Sequence, residues 1–581
     1  MSIDIETYRL KAQEAIEYVF VKEYHNSLGI PMPIVKMLLP DDANYLTGQY
    51  YITIDKTWQI HLNFGKLPIS YHEFQNEVKV LTRHEIEHYM CCPFDVITHF
   101  RMLKRIRDVY YKHFSHIGIN IEYACGAISN QAADIIVDTK NYYRHSKETL
   151  KSEIDWIKIG ANISDCPRHC KLMFLTKEAI WNEDLGINET DSEFLKIVHQ
   201  LADSFTKNSI EDKSSFLEKV EEYAEIFFKL YAEDQKNPQL SRQQGSQQQN
   251  SQQDSQQQSG QQDSQQQSGQ QGSQQQNGQQ GVGRPKDGDE HGNAFIFADP
   301  DNVKEAIEAL AEETSVEEFI DLLTIAGIIG MSDKQKKALW FNVQSANIIP
   351  IVETSNTGNK SSYTYPSAWK IGDPIEELDL MLTYMTSPRL VPGMTTKKWE
   401  YVSNDDNGAE SKQMDLLLVV DTSGSMGSAM KESDNMHQAV LASYGILSYF
   451  ESTKSKVALI EFSDKINACV DWTDKYDDVK ERLLTNGHGG TKFPISRIKS
   501  TLDVKSGDLV TVLITDGDLD NINESVSYFR DYLNDDNKLY IFILGGSKSL
   551  HSYEPLKNIG AKIYNANNAN EFCEMVITDM E

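Results

Sequence analysis

Hydrophobic and polar positions follow three different rhythms along this chain of 581 residues. Over residues 5–24, charged positions separate Tyr8, Leu10, Ala15, Ile16, Val19 and Phe20, a helical period that predicts a helix packed on the neighbouring part of the chain. Tyr50–Ile54 and residues 58–64 are β-rich runs parted by Asp55, Lys56 and Thr57, which predicts a hairpin. Residues 128 to about 144 read as a helix that is apolar around most of its circumference. Its polar residues Asn130, Asp134, Asp138 and Asn141 fall on one stripe. Helical periods then run from 172 to 232, for example through Phe194, Ile197, Val198, Leu201 and Phe205. Residues 302–329 predict acidic amphipathic helices. Residues 334–400 are mixed, with Trp340, Trp369, Trp399 and a short helix near 375–386. The last part alternates apolar strands near 415–420, 457–462, 509–515, 539–544 and 562–564 with helical patterns near 433–452, 474–484, 521–533 and 551–558. Such alternation predicts a mostly parallel sheet with helices on both faces.

One stretch has no hydrophobic rhythm at all. Between 239 and 290 a nine-residue Gln/Ser/Gly unit repeats over 243–251, 252–260, 261–269 and 270–278. With no apolar side chain to bury, it predicts a disordered tether. The expected division is therefore 1–238, a mostly helical α+β domain; 239–290, the linker; 291–411, a helical connecting segment; and 412–581, a Rossmann-like α/β domain. A chain of this length exceeds one hydrophobic core, consistent with such a multidomain α/β architecture.

Charge changes the choice of partners. A formal net charge of −30 argues against nucleic acid and against anionic membrane as partners. No apolar run approaches the length of a membrane span, and the N-terminal residues lack a basic-then-apolar signal pattern. The 7 cysteines are scattered and odd in number, unlike a disulfide framework. Cys166-Pro-Arg-His-Cys170 has no second pair at ligand spacing and reads as packing thiols. A cytoplasmic location is expected.

Two motifs carry chemistry. In His84-Glu85-Ile86-Glu87-His88 the two histidines are four apart, so on a helix they share one face and can both ligate one Zn²⁺. Glu85 lies angularly close to that face and can act as a general base toward water. Such a site needs a third ligand. Buried carboxylates are rare unless paired or bound to metal, so the stripe on the 128–144 helix points to a site rather than to solvent. Asp134 is the expected third ligand, with Asp138 as its outer partner or an alternative ligand. The other reading of the stripe is a solvated face with salt bridges.

The second motif is Asp421-Thr422-Ser423-Gly424-Ser425, at the end of the apolar run 416–420. It places one carboxylate and two hydroxyls on a turn at the carboxyl edge of a sheet, where open α/β sheets bind ligands. Thr491, after Gly489 and Gly490, offers a third hydroxyl, and Asp516 ends another strand with a second carboxylate. Hard oxygen donors suit Mg²⁺ or Mn²⁺. Asp464 falls near the same edge and is not assigned to the metal.

On these residues, 412–581 resembles a von Willebrand factor A domain. The resemblance implies a metal-ion-dependent adhesion site formed by Asp421, Ser423, Ser425, Thr491 and Asp516, with an open metal position that a partner's carboxylate can fill. The first half carries the His-Glu-x-x-His pattern of zincin metallopeptidases. The order of that motif, an Asn130-x-Ala132-Ala133-Asp134 helix, a spacer and a final A domain resembles bacterial proteins in which a metallopeptidase domain is fused to a von Willebrand A-like domain. The resemblance implies work with a MoxR-type AAA+ ATPase acting on a client protein. The chain has no Gly-x-x-x-x-Gly-Lys-Ser/Thr loop, so the ATPase would be a separate protein. Two alternatives remain: a zinc-stabilised adaptor without catalysis, and, third in rank, a metal-chelatase subunit, in which the His84–His88 helix has no place.

Overall fold

A computed structural model describes residues 5–25, 32, 34–37, 50–54, 60–64, 70–159, 163–236, 300–326, 331–346, 363–368, 397–401, 414–484, 489–505, 507–517, 519–535, 537–545, 550–566 and 569. The repetitive 239–290 stretch and the helix expected near 375–386 lie outside them. The chain divides into two compact units, Met1–Gly330 and Met331–Glu581.

The first unit opens with α1 (Ile5–Glu17), which continues as a π turn over Tyr18–Glu23. Strands β1 (Ile34–Met37), β2 (Tyr50–Ile54) and β3 (Ile60–Phe64) form a small sheet in the order β1-β3-β2. β2 and β3 are antiparallel, as the hairpin reading expects. β1 runs parallel to β3, a pairing with no local sequence signal because its partner is remote in the chain. Helix α2 (Tyr71–Met90) starts at a capping box in which Ser70 and Glu73 exchange side-chain and backbone bonds. Its face bearing Phe74, Val78, Leu81 and Ile86 packs on Tyr8, Ala12, Ala15, Ile16, Val19 and Phe20 of the first helical segment. Full burial of a side chain like Phe74 stabilises by about 2–3 kcal/mol.

Helix α3 (Val96–Val109) comes next, capped by Asp95, whose carboxylate accepts from Thr98 N–H. Helix α4 (Ile121–Ile159) is long and breaks at His145, whose backbone is non-helical (φ −135°, ψ 47°). The helix expected to end near Arg144 therefore ends as a straight element there and resumes in a new direction. Helices α5 (Arg168–Trp181), α6 (Ser192–Thr206) and α7 (Phe216–Gln235) complete the bundle. Cys166 and Cys170 are free thiols. Two further helices, α8 (Pro300–Glu313) and α9 (Val316–Ile325), belong to this unit and not to a separate connecting segment. Arg101 and Arg107 of α3 pair with Glu313 and Asp321, and Phe319, Leu322 and Leu323 are buried. Acidic residues of α8 and α9 thus meet basic residues of α3.

Charged groups weld α2 to α4. Glu87, fully buried, pairs with Lys140 at 2.8 Å and Arg144 at 2.9 Å and accepts from Tyr24 Oη at 3.0 Å. Arg83, 3 % exposed, sits between Glu23 (2.6 Å) and Glu148. Removing one partner of such a buried pair costs about 3–5 kcal/mol, because the other charge is left unpaired.

The second unit begins with α10 (Asp333–Ala346), whose Trp340 and Phe341 rings stand 5.4 and 5.3 Å from that of His437. Strands β4 (Tyr363–Ala368) and β5 (Lys397–Tyr401) form an antiparallel pair, so the 291–411 region is not helical throughout. Their aromatic-rich sequences suit strands, and a two-stranded sheet tolerates Pro366 because both strands are edges. The main sheet comprises β6 (Asp415–Asp421), β7 (Val457–Phe462), β8 (Ile466–Thr473), β9 (Leu509–Thr515), β10 (Lys538–Leu544) and β11 (Lys562–Ala566). Its order is β11-β10-β9-β6-β7-β8. Every pairing is parallel except β8 against β7. β8 was not expected from the sequence; it is a half-exposed edge strand without a strong apolar run. β6 and β9, at the centre, are buried nearly throughout, as a parallel sheet covered on both faces requires. Helix α11 (Asn435–Ser452) comes after the β6 turn, and shorter helices, including one at Ile495–Leu502 that carried no expectation, complete the layers.

Candidate functional sites

The first site lies between α2 and α4. The helical turn brings His84 and His88 together, their rings 4.6 Å apart and edge-to-face. Each imidazole is oriented through Nδ1. His84 Nδ1 lies 2.8 Å from Asp138 Oδ1, and His88 Nδ1 lies 2.8 Å from the Cys92 carbonyl. Both partners are acceptors, so each Nδ1 carries a proton and each Nε2 is the nitrogen left to face a metal. Those two Nε2 atoms face each other at 3.0 Å. Asp134 Oδ1 completes a triangle, 3.5 Å from His84 Nε2 and 3.3 Å from His88 Nε2. This oxygen is buried and has no hydrogen-bond partner, while Asp134 Oδ2 accepts from Asn130 Nδ2 at 3.2 Å. Among the described residues, His84, His88 and Asp134 form a group able to hold a metal ion.

Two edges of the triangle, 3.3 and 3.5 Å, match a small cation, and the 3.0 Å edge between the imidazoles is shorter than a bound ion would set. A tetrahedral ion with bonds of about 2.0–2.2 Å keeps its ligand atoms about 3.3–3.6 Å apart. Electrostatics agree. Burial pushes the His88 imidazole down, but Asp134 and Glu85 outweigh it and raise its pKa to about 9. Burial likewise opposes ionisation of Asp134, yet the two imidazoles hold its carboxyl below the usual range. The pocket thus favours positive charge at its centre. Glu85 Oε1 stands 3.9 Å from His84 Nε2. All four groups are at most 6 % exposed. Asp138 touches His84 and not the triangle, the place of an outer partner.

The second site lies at the carboxyl edge of the six-stranded sheet. Asp421 ends β6 fully buried. Its Oδ1 accepts from Ser423 N–H at 2.8 Å, and its Oδ2 accepts from the Thr515 hydroxyl at 2.7 Å. Ser423 Oγ and Ser425 Oγ are 3.1 Å apart. The loop carrying Thr491 is drawn in by Gly424 N–H donating to the Gly489 carbonyl at 3.1 Å. Gly489 has φ +117°, a left-handed conformation that favours glycine, and a Cβ there would also meet the Asp464 carboxylate at 2.6 Å. Thr491 is held through its carbonyl, which accepts from Asp520 N–H at 3.1 Å. Asp516 comes directly after β9 and is buried. Burial raises the Asp421 carboxyl to about 6, and the nearby Asp516 adds to the rise. A cation shared by the two carboxylates would relieve that repulsion.

Sequence reasoning missed Thr515, the Cys92 carbonyl and Lys177. Lys177 could have been found: it is a cation inside the apolar run of α5. The Cys92 carbonyl has no side-chain signal.

Residues 416–519 match the family model for the von Willebrand factor type A domain. The C-terminal unit contains a von Willebrand factor A domain. The match spans the Asp421 turn, the Thr491 loop and Asp516. Solved structures similar to part of this chain include BatB from Bacteroides thetaiotaomicron, at 13 % identity over 29 % of this chain and 97 % of that one, with a TM-score of 0.25. Another is an aerotolerance-related membrane protein from Bacteroides fragilis, at 14 % identity over 29 % of this chain and 98 % of that one, with a TM-score of 0.24. No curated protein matches the chain. No helix among the described residues is long and apolar enough to cross a membrane.

Proposed function

We propose that the chain is a zinc-dependent metallopeptidase whose von Willebrand A domain binds a partner protein through Mg²⁺ or Mn²⁺. The carrying observation is the triangle of His84 Nε2, His88 Nε2 and Asp134 Oδ1, with a carboxylate, Glu85, at its rim. A donor set of two imidazoles and one carboxylate suits zinc and leaves a fourth position open. When bound, zinc would polarise a peptide carbonyl and acidify water. Asp138 and the Cys92 carbonyl hold the two imidazoles with Nε2 inward. Glu85 takes the proton from the attacking water and returns it to the leaving amine.

At the sheet edge, Asp421, Ser423, Ser425, Thr491 and Asp516 would hold Mg²⁺ or Mn²⁺ through oxygen atoms. The partner we propose is a separate MoxR-type AAA+ ATPase in the cytoplasm, which delivers a client protein to the first unit. That part rests on the order of motifs.

Burial of the first site favours a second reading, a zinc-stabilised adaptor without catalysis. Metal content comes first: purified wild type should carry about one equivalent of zinc, and His84→Ala with His88→Ala should carry none. Failure of the wild type to take up zinc at neutral pH sinks both readings. Glu85→Gln then separates them. A peptidase should retain its zinc and lose about 10²–10⁴-fold in cleavage of a labelled unfolded protein; an adaptor should be indifferent to the change.

A further inference from the structure

Lys177 of α5 is 1 % exposed, a rare position for a lysine. Its Nζ lies 2.6 Å from Asp138 Oδ2 and 3.1 Å from Glu153 Oε1, both equally buried. The two carboxylates belong to the two halves of α4, before and after the break at His145. Asp138 is thus gripped at both oxygens, Oδ1 by His84 Nδ1 and Oδ2 by Lys177. The second half of α4 is in turn tied to α2, because Ser152 Oγ and Trp156 Nε1 donate to Glu77 Oε1 at 2.6 and 2.8 Å. A closed loop of contacts runs from α2 through the far half of α4, across α5, into the near half of α4 and back to His84.

We propose that Lys177 is a positioning residue of the metal site: it locks the Asp138 carboxylate across the broken helix and thereby aims His84 Nε2 at the metal. The proposal rests on the metal-site reading of His84, His88 and Asp134. A carboxylate held at one oxygen can rotate, and the imidazole bonded to it rotates with it. A carboxylate held at both cannot. Outer partners of this kind tune metal affinity by about 10–100-fold when removed. Packing alone would be better served by an apolar side chain than by a buried ammonium between two carboxylates.

The test uses the full chain with Lys177→Met and Glu153→Gln together, which removes one cation and one anion with little change of shape. Zinc affinity is read by competition with a chelating dye, and ligand geometry by the visible absorption of the Co²⁺-substituted protein. The folded double variant should bind zinc about tenfold more weakly and show an altered cobalt spectrum. Unchanged affinity and an unchanged spectrum in that folded variant overturn the proposal and leave the metal site standing. Should it not fold, Lys177→Arg decides by the same readings, because a guanidinium is larger and planar where the ammonium is compact, so it keeps the charge but must move the Asp138 carboxylate that it grips. A wild type that takes up neither zinc nor cobalt overturns the metal-site reading itself and this proposal with it.

Discussion

The two candidate metal sites are built on opposite plans. The one between α2 and α4 takes its ligand atoms from rigid helices and lies in the interior, with each imidazole already held at the nitrogen it does not present. The one at the sheet edge takes its oxygens from turns and loops, and its central carboxylate is already bonded to a backbone N–H and a hydroxyl. Helices separated by packed side chains set nitrogen positions closely enough for a small borderline cation. Loops at a sheet edge set them less closely, which suits a hard cation that shares its shell with water and a partner. On the function proposed above, the first plan would couple metal to folding of the unit and the second would couple it to binding.

Metal removal should break this contrast most sharply. Stripping zinc from the first unit leaves two imidazoles and a carboxylate buried around an empty centre, so its thermal transition should fall by an amount equivalent to several kcal/mol. The A domain should melt unchanged in the same calorimetric scan. Equal effects on both transitions would erase the distinction drawn between the sites.

Next in size is Asp421→Asn. The amide offers one acceptor oxygen where the carboxylate offered two, to Ser423 N–H and the Thr515 hydroxyl, and the charge is gone. Mg²⁺ should no longer raise the melting temperature of the A domain, because the buried charge that would hold the ion is gone. Retained Mg²⁺ stabilisation would show that the ion binds elsewhere.

A smaller effect comes from pH. Asp421 has its folded pKa raised to about 6, above the unfolded carboxyl value, so its ionisation lowers the stability of the metal-free domain as pH rises through that window. Mg²⁺ needs the ionised form. Its stabilising effect should therefore be full above pH 7 and about tenfold weaker in apparent affinity at pH 5, one unit below the pKa. Titrations of melting temperature with Mg²⁺ at the two pH values check the sign; stronger binding at pH 5 contradicts it.

The smallest effect belongs to the surface. Arg101 and Glu313 are each about two-fifths exposed, so Arg101→Ala should cost no more than about 1 kcal/mol by denaturant unfolding. A larger loss would mean that α8 is held chiefly by charge and not by its buried apolar face.

Much of the first site was legible because a helix makes spacing into geometry: His84 and His88 share a face at any four-residue step. Asp134 was legible for a different reason, a polar stripe on an otherwise apolar helix. The C-terminal sheet was legible because β6, β7, β9 and β10 are buried on both faces and read as continuous apolar runs. β8, exposed on one side at the edge, carries no such run, and β1 pairs with a strand some two dozen positions away. The division of the 291–411 region was hidden too: α8 and α9 fold with the first unit and α10 with the second, a choice made by contacts with residues distant in the chain.

By itself the sequence determined the rhythm of the elements, the helical pairing of the two histidines and the strand-end carboxylates, since these depend on neighbours within a turn or a strand. Only the tertiary structure decided that Asp134 reaches the histidines while Asp138 stops behind one of them, and that Lys177 grips Asp138 from another helix. It also decided that Thr515 and Ser423 share the oxygens of Asp421. Those outcomes turn on how far apart packed helices and strands stand, a distance set by side chains dozens of residues away.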